Sequence, residues 1–105
     1  MSSNYGHQFD LAIWHLNHEF KPDPPIHIYT VPLPVLTKYH GSCTVGDATL
    51  SRVRIARGMS IERAVDCLVH EYAHVIHLRE NPTARIEHSD AWGVIYSRCY
   101  RAVFD

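Results

Sequence analysis

Between Ser60 and Asn81-Pro82 the chain carries one long amphipathic segment with a histidine pair set deep inside it, and this constrains the fold more than anything else. Ile61, Val65, Leu68, Val69, Tyr72 and Ile76 keep helical spacing as far as Leu78. Ser60 is a good N-cap, and Glu62 in the first turn suits the positive end of a helix. Asn81-Pro82 breaks the pattern. The segment is therefore read as a helix with one face in the core and the other carrying His70, His74 and His77.

Around it the remaining elements are short. Phe9, Ile13, Leu16 and Phe20 predict a first amphipathic helix over residues 8–20, ended by Lys21-Pro22-Asp23-Pro24-Pro25. Ile26–Val31 is β-branched and aromatic and reads as a strand. Ser42–Val45 and Thr49–Arg57 read as a hairpin turning at Gly46-Asp47. Within it Val53 and Ile55 alternate with Arg52, Arg54 and Arg57, which gives one buried and one solvated face. A last helix is expected from Ser89 to Val103, with Trp92, Ile95, Cys99 and Ala102 as its inner stripe. The fold class is thus α+β, a single domain over residues 1–105: a small antiparallel or mixed three-stranded sheet packed against the histidine-bearing helix and its flanking helices.

Composition excludes several classes. Apolar residues make up 46% and charged residues 20%, values of an ordinary globular domain. The formal net charge of −1 supplies no overall field toward nucleic acid or an anionic membrane, so charge does not require a nucleic-acid partner. Cys43, Cys67 and Cys99 form no C-x-x-C pair, which argues against a disulfide framework and fits a reducing cytoplasm. No run approaches the roughly 20 apolar residues of a membrane span, and the N-terminus has no signal-peptide pattern.

His70-Glu71-Tyr72-Ala73-His74 then carries the chemistry. Residues i and i+4 stack on one helix face, so His70 and His74 can aim two imidazoles at one point. Catalytic zinc takes three protein ligands and keeps a position open for water. Glu71, expected at the rim of that face, is placed to take a proton from water there. This is the H-E-x-x-H pattern of zinc metalloproteases.

A third ligand must come from outside the motif. His88 is the first candidate, Glu87 the competing carboxylate and His77 the outsider. Three ligands on one straight helix cannot converge on a tetrahedral centre, since His70 and His77 lie about 10 Å apart along the axis. His77 is better read as a surface residue or as support for a ligand. Asp90 is expected to cap the last helix, or else to orient a ligand imidazole.

His70-Glu71-Tyr72-Ala73-His74 followed by Glu87-His88-Ser89-Asp90-Ala91-Trp92 resembles the SprT-like zincin domain of the SprT/Spartan metalloproteases. Gly41-Ser42-Cys43, Val53-Arg54-Ile55 and the helix entering the motif match the upstream context, so the resemblance covers roughly residues 40–96. It implies His70, His74 and His88 as Zn2+ ligands, Glu71 as catalytic base, and Trp92 packing the last helix on the motif helix. Ser89 stands where the family usually has glycine, and the cysteine-rich ribbon of several members has no counterpart, so the resemblance is to a minimal core.

The expected function is zinc-dependent endopeptidase activity on a protein or peptide substrate, including protein associated with DNA as the resemblance implies. Tyr96, Arg98 and Tyr100 are candidates for an additional oxyanion donor. The alternative is a catalytically silent zincin-fold module for binding or inhibition, with zinc only holding the core together.

Overall fold

Helix and strand follow the apolar spacing to within two residues at four of the six described elements. A computed structural model describes residues 5–32, 46–83 and 89–105. In chain order the elements are α1 (His7–Phe20), β1 (His27–Val31), β2 (Gly46–Ala48), β3 (Arg52–Ala56), α2 (Ile61–Glu80) and α3 (Asp90–Phe104). Among the described residues the broad class is α+β, with three helices around a small sheet.

α1 buries Phe9, Ala12 and Leu16 and ends at Lys21, which has a left-handed backbone and whose N–H donates to the Asn17 carbonyl at 2.8 Å. Pro22 then forbids continuation. α2 starts where Ser60 Oγ accepts from the Arg63 N–H at 3.2 Å. α3 starts where Ser89 Oγ accepts from the Trp92 N–H at 3.3 Å. Ser89 is therefore the cap of α3, and Asp90, expected in that role, is instead the first helical residue, where its charge favours the positive end.

The hairpin stays antiparallel but departs from the expected one in position. The sheet order is β1-β3-β2, with β3 central. β1 runs parallel to β3, pairing Ile28 with Val53 and Thr30 with Ile55. β2 runs antiparallel to β3, pairing Gly46 with Ile55 and Ala48 with Val53. The expected strand Ser42–Val45 lies outside the described residues, and the expected turn at Gly46-Asp47 is itself strand. The turn sits four residues later, at Leu50-Ser51, where the Thr49 N–H donates to the Arg52 carbonyl at 3.0 Å and Leu50 is left half exposed. Glycine and aspartate are poor strand formers, but an open edge on β3 decides the matter, because strand preference is mostly a matter of context. Val53 and Ile55 are fully buried while Arg52 is exposed, as alternation demands.

α2 is the hub. It packs on α1, α3, β2 and β3, and it buries Ala64, Val65, Cys67, Leu68, Val69, Tyr72, Ala73, Val75 and Ile76. Tyr72, the largest fully buried side chain, donates its hydroxyl proton to Asn17 Oδ1 of α1 at 2.7 Å. Arg79 fastens the other end: Nε donates to the Leu50 carbonyl at 2.6 Å and Nη1 to the Pro24 carbonyl at 2.5 Å. Glu19 and Arg98 bridge α1 to α3 at 3.1 Å, an exposed pair of small energetic weight.

Candidate metal centre

Since α2 is wrapped by four elements, only a narrow strip of its middle reaches solvent, and His70 and His74 occupy that strip. Both are half-buried. Their Nε2 atoms approach to 3.1 Å, with ring centroids 4.8 Å apart. Two metal–nitrogen bonds of 2.0–2.1 Å at a tetrahedral angle would hold the nitrogens about 3.3 Å apart. The spacing also suits a single N–H···N hydrogen bond between complementary tautomers.

α3 supplies the wall of the site. Trp92 lies 5.1 Å from both imidazole centroids and is nearly parallel to His74, at 28°. Tyr96 stacks on Trp92 at 4.9 Å and meets the His70 ring edge-on at 6.2 Å. The indole, held at the start of α3 by the Ser89 cap, thus restricts the rotation of both histidines. Its packing of α3 against α2 is the role expected for it.

Glu71 was expected at the rim of an open face, but it is only 7% exposed. A helix surrounded on most sides has no broad polar face, so a residue one position from the solvent strip is already covered. His77, 4% exposed, is likewise buried rather than at the surface. His88 and Glu87, the two contenders for third ligand, lie outside the described residues. Among the described residues no group of three His, Cys, Asp or Glu side chains is placed to hold a metal ion. The pair of imidazoles with no thiolate is a donor set suited to zinc and to its borderline neighbours.

The three candidate oxyanion donors separate clearly. Arg98 is turned toward α1, paired with Glu19 and lying 4.5 Å over the Phe20 ring. Tyr100 is half exposed one turn beyond Tyr96. Tyr96 alone touches the cluster around His70.

Two features escaped the sequence reading. One is the Tyr72–Asn17 bond, which joins residues far apart in the chain and leaves no local trace. The other is the aromatic stack Trp92–Tyr96–Tyr100–Phe104, with successive centroids at 4.9, 6.1 and 4.5 Å. Its signal was legible: four aromatics at i, i+4 spacing on one helix, partly overlooked beside the inner stripe of Ile95 and Cys99.

No helix among the described residues is long and apolar enough to cross a membrane. In comparisons with protein-family models, curated proteins and solved structures, the chain matches none of them.

Proposed function

We propose that this chain is a zinc-dependent metalloendopeptidase of the H-E-x-x-H type, built on a minimal zincin-like domain resembling that of the SprT/Spartan proteases. The observation that carries this reading is the 3.1 Å convergence of His70 and His74 Nε2 atoms on a narrow solvent strip, with Glu71 next to it in the chain. His70 and His74 would hold the metal, with His88 as third ligand on the strength of the sequence. Bound zinc supplies Lewis acidity, which makes water more acidic and polarises a carbonyl.

Glu71 takes the proton from the attacking water and delivers it to the leaving amine. Trp92 keeps the two imidazoles oriented. Tyr96, stacked on that indole, is the residue best situated to donate to a developing oxyanion. An extended peptide would pair with the outer side of β2, the outermost strand among the described residues, which packs on α2. Protein substrates associated with DNA follow from the resemblance alone, as the net charge of −1 gives them no support.

The alternative, a silent binding module, draws on the same 3.1 Å contact, which serves equally well as an imidazole–imidazole hydrogen bond. Metal content and peptide hydrolysis measured on three variants separate the readings. Glu71→Gln should retain about one zinc per chain and lose about 10²- to 10⁴-fold in hydrolysis. His88→Ala should lose the metal, and Glu87→Gln should keep it. Undiminished cleavage by Glu71→Gln removes Glu71 from the role of base; zinc uptake without hydrolysis by the wild type supports the silent module.

A further inference from the structure

Away from the histidines, α1, the first turns of α2 and the end of α3 enclose a cleft of about 370 Å3. Its volume falls at the lower end of sites that hold ligands of modest size. Leu11, Ile61, Val65 and Phe104 give it an apolar lining, and Leu11 and Phe104 remain 43% and 45% exposed. Glu62 and Asp66 stand on its α2 side.

The two carboxylates are four residues apart on one helix, where like charges repel. Helix polarity accounts for Glu62 in the first turn but not for Asp66 one turn later. Both are exposed, and among the described residues neither has a hydrogen bond or ion pair. An apolar cleft bordered by two unmatched negative charges is complementary to a cation attached to a bulky apolar group. In a polypeptide that combination is a lysine or arginine beside a leucine or an aromatic residue.

We infer that this cleft docks a polypeptide segment carrying a basic side chain next to a large apolar one. The aromatic stack gives the docked segment a route to the histidines, since Phe104 lines the cleft and Trp92 touches both imidazoles. Twelve helical residues span about 18 Å, the length of five or six residues of extended chain. The docked segment is then part of a substrate whose scissile bond lies that far away. This second step rests on the metallopeptidase reading; the docking itself does not.

The test uses the full chain carrying Glu71→Gln, without added metal, and a fluorescein-labelled decapeptide with lysines flanking a Leu-Leu pair. Anisotropy should show saturable binding that weakens as salt rises. Glu62→Gln with Asp66→Asn should weaken it about fivefold, in keeping with two exposed ion pairs. Asp66→Lys should improve binding of the same peptide with glutamates in place of lysines, a gain that a merely unfolded variant cannot give. Equal binding of lysine and glutamate peptides would overturn the proposal. So would unchanged binding by the doubly neutralised protein, or self-association through the cleft that the peptide fails to displace. Docking without zinc uptake sinks only the peptidase reading. Zinc-dependent cleavage of the lysine peptide whose KM ignores Glu62→Gln and Asp66→Asn sinks only the docking.

Discussion

Two clusters in this molecule have the same ingredients, one tryptophan and two histidines, and only one of them resembles a metal centre. On α1, Trp14 stacks on His18 at 4.6 Å and meets His15 edge-on at 5.1 Å. At the α2–α3 contact, Trp92 lies 5.1 Å from both His70 and His74. The difference is which residue fills the i+4 position. His18 has Trp14 one turn before it, so its ring faces an indole, and among the described residues no hydrogen bond joins it to His15. His74 has His70 one turn before it, and the indole comes from another helix. Donor atoms converge only in the second arrangement. Trp14 is 54% exposed, whereas α3 closes over the other cluster. Neither the number of histidines nor their aromatic neighbours decides ligand capacity; the i, i+4 pairing of two donors under an external wall does.

The largest difference expected between the two clusters is in metal affinity. His70→Ala or His74→Ala should weaken zinc binding by more than about 100-fold, since loss of mere supporting partners already costs about 10- to 100-fold. His15→Ala and His18→Ala should leave it unchanged. A competition titration against a chromophoric chelator measures all four. A comparable loss from His15→Ala would mean that the α1 histidines also ligate, and the i+4 argument would fail.

Next in size is the wall itself. Fully buried tryptophans cost about 3–5 kcal/mol on truncation to alanine; Trp92, half-buried between two helices, should cost about 2 kcal/mol. Trp14→Ala, on an exposed flank, should stay within about 0.5 kcal/mol. Urea unfolding of the two variants checks the contrast. Similar losses would show that the α1 cluster is held as firmly as the one at the candidate metal centre.

The same comparison explains what could be read in the sequence. The helical periods of Phe9–Leu16 and Val65–Ile76 and the serine at position 60 located α1 and α2 to within a residue or two, because these signals are local. The His70–His74 pair was legible for the same reason. Sheet pairing was not: the parallel register of Ile28 with Val53 depends on chain segments brought together from a distance, and β2 forms at Gly46–Ala48 against local preference. The burial of Glu71 and His77 was misread because a two-faced helix was assumed, when four neighbouring elements cover α2. Nothing in a single segment's pattern announces how many partners will surround it.

Tyr72 gives the smallest effect and the one that ties both regions together. It sits inside the motif between the two histidines, yet it points away from them to Asn17, one residue before His18 on α1. Tyr72→Phe removes one neutral hydrogen bond and should cost about 1 kcal/mol, which is about 4–8 °C in Tm for a domain of this size. The alkaline limb of stability adds a second signature. Burial raises the Tyr72 hydroxyl above its ordinary value of 10.0 and pushes the Cys99 thiol from 9.0 up to about 12. Both groups hold their protons more tightly folded than unfolded, so their contribution is intact below the unfolded values and is lost as pH rises. Wild-type stability should therefore begin to fall above about pH 9 through Cys99, and fall more steeply above about pH 10 as Tyr72 joins. Tyr72→Phe should keep the first slope and lose part of the extra steepness, the remainder belonging to Tyr5, whose hydroxyl burial also raises, as urea midpoints across that range would show. Zinc affinity should be unchanged, because the hydroxyl belongs to the packing of α2 on α1 and not to the histidine strip. A fall in metal binding with Tyr72→Phe would instead mean that the seating of α2 on α1 sets the distance between the two imidazoles.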